Sequence, residues 1–225
     1  AVAEQVRYDS YRQTQAISLA LAQAGPMIDV HGRLIRRLEQ SAGLDRELEA
    51  LPGEDEISAR KSAHQGLLSP EISVLMAHCK IRLFTELLES DLPEDEYLAR
   101  DIEGYFPAPL PERFGEEIPQ HRLRREIVAT VVANQLVDRA GTTFAFRLGE
   151  ETGAPAPLLA RGFAAARSVF RMESFWEEVE ALDNQVETSV QLRMLIAGRR
   201  LIERSIRGLV RQNPTRIDVL ATVER

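Results

Sequence analysis

The stretch from His121 to Gly141, HRLRREIVATVVANQLVDRAG, decides the fold. Leu123, Ile127, Val128, Val131, Val132, Leu136 and Val137 recur at helical spacing and cover enough of the circumference for a deeply buried helix. Gly141 ends it. Residues 142–148 alternate weakly and could form a strand, but no second strand candidate exists to pair with them, so they read as helix. Further helices are predicted at about residues 155–170, 172–182 and 186–211, and Asn213-Pro214 caps a last short one.

Upstream, Ala16, Leu19, Ala20 and Gln23 mark a first helix over residues 2–24, stopped by Gly25-Pro26. A second runs to about residue 40, with Asp29 and Arg33, four apart, on its wet side. Short helical pieces are expected at residues 44–50 and 54–63, separated by Pro52-Gly53. Ser69-Pro70-Glu71 reads as a start signal, with a hydroxyl cap, proline at the first helical position and then an acid. The helix it opens should reach about Leu88. Residues 91–110 are broken by prolines into short helices and turns. The expected fold is all-α, an irregular multi-helix bundle. Its weakest linkage, at residues 52–68, divides an N-terminal helical hairpin (residues 1–66) from a main helical domain (residues 67–225).

The bulk composition narrows the function. Hydrophobic residues make up 44% and charged residues 28% of the chain, which is globular usage rather than disorder. The single cysteine, Cys79, rules out an internal disulfide and a multi-cysteine zinc site and fits a reducing compartment. No apolar run approaches the roughly 18–20 residues needed to cross a bilayer, and no secretory signal is visible, so a cytoplasmic location is expected. The chain has no initiator methionine and starts within a helical pattern, so it reads as a piece of a longer polypeptide. A formal net charge of −7 disfavours nucleic acid and anionic membranes as partners.

Catalytic patterns are missing. No two glycines stand two residues apart, so the dinucleotide fingerprint is absent, and no phosphate loop, nucleophile elbow or zinc-protease motif occurs. His78 and Cys79 are neighbours that point about 100° apart on a helix, which prevents easy chelation of one ion. His31 stands on a different face from Asp29, and His64 and His121 sit in loops without partners. Lys80 reads as a snorkelling surface lysine. Asn134 and Asp138, four apart on an otherwise apolar helix, must find hydrogen-bond partners. An interhelical network with Arg139, Thr142 or Arg147 is the simplest arrangement, and contact with a ligand or neighbouring domain is the alternative.

Two charge clusters remain. Arg193, Arg199, Arg200, Arg204, Arg207 and Arg211 stud the long late helix and read as a solvated face with pairs such as Arg199–Glu203 and Glu203–Arg207. Acidic residues crowd residues 86–103, reading as exposed, and docking of the two clusters on each other is a further expectation. A free-standing helical interaction module or nucleic-acid-binding regulator stays open on this evidence. So does a helical enzyme built from scattered carboxylates with magnesium, although no clustered aspartate motif supports it.

Taken in order, several motifs carry a resemblance. They are YRQTQAIS at residues 11–18, MIDVHGR at 27–33, LSPEISVLMA at 68–77, YFPAPL at 105–110, RREIVAT at 124–130, and the run 134–154 that includes RAGTTF. The series spans nearly the whole chain and resembles the C-terminal part of the large bacterial NAD-specific glutamate dehydrogenases. The resemblance implies a parent oxidoreductase that converts glutamate to 2-oxoglutarate and ammonia with NAD as cofactor. The family's substrate loop, catalytic lysine and dinucleotide fold lie upstream, so no catalytic, cofactor-binding or metal-binding residue is carried over, and this segment is expected to bind no NAD and to be inactive. Its expected partners are the upstream catalytic region and other copies of the parent in a homo-oligomer. Its structural or interface candidates are Tyr11, Asp29, Arg33, Arg125, Asn134, Asp138, Arg139, Thr142 and Arg147. Ser10 and Asp138 stand where asparagine is expected in relatives. A docking role predicts an apolar patch left exposed near the N-terminal helix.

Overall fold

The computed structural model describes residues 2–224, and among them it contains helices and no strand. Ala1 and Arg225, the outer bounds of the two expected segments, lie outside the described residues. The helices are α1 (Val2–Leu21), α2 (Ile28–Ser41), α3 (Glu54–Ser62), α4 (Ser69–Leu88), α5 (Glu96–Ala99), α6 (Leu110–Phe114), α7 (Arg124–Gln135), α8 (Phe144–Thr152), α9 (Ala156–Val169), α10 (Met172–Glu180), α11 (Thr188–Gln212) and α12 (Val219–Val223). Three 3₁₀ turns fall at Leu92–Glu94, Arg100–Tyr105 and Ile118–Gln120. One apolar core runs from Ala16 in α1 to Val219 in α12.

Helices α4 and α7 form the centre of that core, and α1, α2 and α9 pack around α4. In α7, Ile127, Val128, Ala129, Val132 and Ala133 are buried, and Leu136 and Val137 continue the buried run. Each such valine, leucine or isoleucine contributes roughly 1.5–3 kcal/mol of burial. Helix α9 is buried from Leu158 through Arg167. Its Gly162 allows a close approach, because a Cβ there would stand 3.1 Å from Ile206 of α11.

The opening of α4 corrects the hydroxyl-cap expectation. The N-cap is Leu68, Ser69 is already helical, and Pro70 follows it. The capping group is Glu71, whose carboxylate accepts the Leu68 N–H at 2.6 Å and a forked pair from Arg60 at 2.7 and 2.8 Å. A carboxylate aimed back at the first turn satisfies an orphan donor as a hydroxyl would. Residues 44–50 are a turn rather than a helix. Asp45 caps the N–H groups of Glu47 and Leu48, but Ala50 turns left-handed at φ 51° and ends the run after one turn.

The late end of α7 brings a second difference. Leu136–Ala140 widens into a π-helical turn, with the Gly141 N–H donating to the Leu136 carbonyl at 3.1 Å. Gly141 then leaves at φ 117°, ψ 153°, a region that L-residues with a Cβ essentially avoid. This turn holds Asp138 and Arg139 inside the protein.

Candidate functional site: the polar centre at the end of α7

The π-turn gathers several of the charged side chains of the interior. Lys80 of α4 places Nζ 2.8 Å from Asp138 Oδ1, with the lysine side chain 18% and the aspartate 7% exposed. The approach is a charge contact without aligned hydrogen-bond geometry, since Asp138 Oδ1 has no hydrogen-bond partner. Lys80 is therefore a half-buried counter-ion to a buried aspartate, not a snorkelling surface lysine. The reason lies in the helix phase: Met76, Lys80 and Leu83 follow one another at four and three residues on the inward face of α4.

Arg199 of α11 enters from the other side. Its Nε donates to the Arg139 carbonyl at 2.8 Å and its Nη2 to the Asp138 carbonyl at 2.7 Å. A guanidinium at a helix C-terminus meets both the orphan carbonyls and the negative end of the dipole. Burial pulls Arg199 down to about 10, with the Asp138 charge opposing the shift, so it stays protonated at neutral pH. The expected Arg199–Glu203 pair is not formed. Arg199 follows Leu195 by four and precedes Ile202 by three, which turns it inward. Glu203 instead receives a forked pair from Arg147 at 2.7 and 2.9 Å, and Arg207 at 2.6 Å as expected. Burial raises the Glu203 carboxyl, but these guanidiniums outweigh it and hold it below the usual glutamate value.

Arg139 points toward α1 and α10. It pairs with Glu180 at 2.6 Å, donates to Gln15 Oε1 and to Tyr8 Oη, and lies 4.6 Å from the Trp176 ring. Burial, followed by the Glu180 charge, raises the Tyr8 phenol. Tyr11 lies one turn on, where burial and then Asp183 push its phenol up to about 12.

The remaining candidates are dispersed. Asn134 lines a 450 Å³ groove shared with Asp138, Arg139 and Trp176. Thr142 is buried beside the turn with no partner for its hydroxyl. Asp29 and Arg33 are exposed as expected, but their charged partners are Lys61 and Glu150. Arg125 caps the end of α4, donating to the Leu88 carbonyl at 2.7 Å, and pairs with Glu94. His121 accepts the Leu123 N–H at its Nδ1, so it is not without a partner.

The acidic segment does not dock on the late-helix arginines. Asp95 pairs with Arg161 at 3.0 Å and Asp101 with Arg167 at 2.8 Å, both arginines lying in the buried helix α9. With Arg125–Glu94, these pairs pin the irregular residues 91–103 to the core, and Asp95 and Asp101 are correspondingly shielded. Among the described residues, no group of three or more His, Cys, Asp or Glu is placed to hold a metal. No helix among the described residues is long and apolar enough to cross a membrane. Residues 64–225, which include the π-turn and all of the centre except its α1 partners Tyr8 and Gln15, match the family described as glutamate dehydrogenase, C-terminal.

The chain belongs to that family.

Three NAD-specific glutamate dehydrogenases are similar to this member of the glutamate dehydrogenase C-terminal family. That of Halomonas elongata is 44% identical over 211 residues, 94% of this chain and 13% of the relative. That of Pseudomonas aeruginosa is 42% identical over 223 residues, 99% of this chain and 14% of the relative. That of Mycobacterium tuberculosis is 39% identical over 224 residues, 100% of this chain and 14% of the relative. The chain thus spans 13–14% of the length of these curated relatives.

One buried group of this family member makes its stability depend on pH. His31 is 3% exposed, and burial lowers it from 6.5 to about 4. Between these values the unfolded chain binds the proton and the folded chain does not, so stability is full above 6.5 and lost as pH falls toward 4. Urea unfolding is expected to show a loss of about 2 kcal/mol between pH 7 and pH 5. His31→Gln, neutral throughout, should flatten that slope. An unchanged slope in the variant would remove His31 as its source.

Proposed function

We propose that this chain is the non-catalytic C-terminal helical domain of an NAD-dependent glutamate dehydrogenase, a parent that oxidises glutamate to 2-oxoglutarate and ammonia. In this reading the domain is structural. It docks on the upstream catalytic region of the same polypeptide, within a cytoplasmic homo-oligomer. The observation that carries the reading is the pairing in the polar centre: Lys80 with Asp138, Arg139 with Glu180, and Arg147 with Glu203. Groups committed to one another in this way hold helices together and are poor acids, bases or nucleophiles. The one thiol, Cys79, is pushed up to about 12 by burial, which suppresses the thiolate.

NAD belongs to the upstream region in this reading. Dinucleotides rest in the crevice beyond the carboxyl ends of parallel strands, and among the described residues there is no strand to form one. These residues therefore do not fit the cofactor. The docking surface is the start of α1, where Val2 is 64% and Val6 58% exposed, one turn apart on the same face. A nucleic-acid-binding role finds less support, because Arg199 is turned inward and Arg207 is paired with Glu151 and Glu203.

The test is glutamate-dependent reduction of NAD, followed optically under excess substrate, by the purified chain and by the longer polypeptide that contains it. Turnover is expected from the longer polypeptide and none from the chain alone. Turnover by the chain alone would overturn the non-catalytic reading, and an inactive longer polypeptide would overturn the parent activity.

A further inference from the structure

A second cavity borders the π-turn and shares no lining residue with the Tyr8–Trp176 groove. It encloses about 240 Å³ between residues 140–143 and helices α1, α2, α8 and α11. Drug-sized pockets run from roughly 300 to 1,000 Å³, so this one suits a smaller molecule.

Its lining carries an excess of positive charge. Three guanidiniums, those of Arg147, Arg199 and Arg200, face one carboxylate, Glu203, and Arg147 already occupies that carboxylate with both ends of its fork. Arg199 commits Nε and Nη2 to the π-turn carbonyls and keeps Nη1. Arg200 is exposed at the mouth and has no carboxylate partner among the described residues. The start of α8, immediately after Thr143, adds the positive end of a helix dipole.

The inner wall carries the second, independent observation. His31 and Thr142 both line the cavity, are 3% and 8% exposed, and leave Nδ1 and Oγ1 respectively without a hydrogen-bond partner. Buried polar atoms are nearly always paired, so two unpartnered groups on residues of one cavity wall favour a polar guest there. Because burial holds His31 neutral, its ring can donate from one nitrogen and accept at the other. Ala20, Met27 and Ile196 complete the wall and favour a guest with a hydrocarbon part over an inorganic ion.

We propose that this cavity binds a small organic carboxylate, gripped by the inward Arg199 and by Arg200 at the mouth, and hydrogen-bonded on the inner wall by His31 and Thr142. The site is independent of the parent's activity. Because Arg199 also caps the π-turn, the guest would share a guanidinium with the polar centre.

The probe is succinate, titrated into the isotopically labelled chain while chloride holds the ionic strength constant, with amide ¹H–¹⁵N signals as readout. Saturating shifts are expected at Gly141, Thr142 and Thr143. Arg200→Ala, which removes an exposed and unpaired side chain, should weaken binding by about tenfold or more while leaving the melting temperature unchanged. Thr142→Val should also weaken it, in a nearly isosteric background. Shifts that never saturate through the millimolar range would overturn the proposal, as would unchanged affinity in Arg200→Ala. An equal response to inorganic phosphate would also overturn it, because it would reduce the site to general attraction of anions.

Discussion

Lys80→Met is expected to lower the stability of the chain by about 3 kcal/mol at pH 7, close to the cost of breaking a buried ion pair from one side. The loss follows from what it leaves behind. Asp138 is 7% exposed, and its buried Oδ1 has the Lys80 charge at 2.8 Å and no aligned hydrogen bond. Methionine fills the space of the lysine stem, so little packing is lost and the deficit is electrostatic. Adding Asp138→Leu should recover most of it, since an apolar pair of similar volume is often neutral or better than the ion pair it replaces. Urea unfolding of the four members of the cycle gives the coupling, expected at about 2 kcal/mol. A single variant that loses less than about 0.5 kcal/mol would mean that water, not Lys80, neutralises Asp138.

That pair also shows where sequence reading succeeds and where it stops. The start of α4 follows from Ser69-Pro70-Glu71 and the buried character of α7 from apolar residues at helical spacing, because both are local properties of the chain. Asp138 stands on α7's own pattern, so its need for a partner is visible there too. The identity of the partner is not local, since Lys80 and Arg199 lie about sixty residues away on either side. A signal for them did exist. Lys80 and Arg199 occupy positions within the inward stripes of α4 and α11, where a charge must be buried and therefore paired. The same holds for Arg161 and Arg167 in the fully buried α9, which anchor the acidic residues of 91–103. Charge runs taken as solvated faces hide such residues, and helix phase exposes them. The π-turn had no comparable signal. Its residues are ordinary helix formers, and only Gly141 hints that the chain leaves α7 in an unusual direction.

That exit is where the second large effect is expected. Gly141→Ala should cost about 3 kcal/mol, from two sources that act together. The backbone at φ 117°, ψ 153° lies in a region essentially reserved for glycine, so any Cβ strains it by about 1–3 kcal/mol. The new Cβ would also stand 3.3 Å from Arg199 Nη1, tighter than it can sit comfortably. If the guanidinium moves, the carbonyls of Asp138 and Arg139 lose their donors inside the protein, where each unmet group costs about 1–3 kcal/mol. Gly208 provides a control of opposite sign. It lies within α11 at ordinary helical geometry, and a Cβ there meets nothing within 4 Å. Gly208→Ala should therefore stabilise the chain by about 0.5–1 kcal/mol, the helix-propensity difference between the two residues. The same chemical change then raises the urea midpoint at one glycine and lowers it sharply at the other. Equal effects at both positions would show that Arg199 and the π-turn do not fix the end of α7, and with them the placement of Asp138 and Arg139 would lose its physical basis.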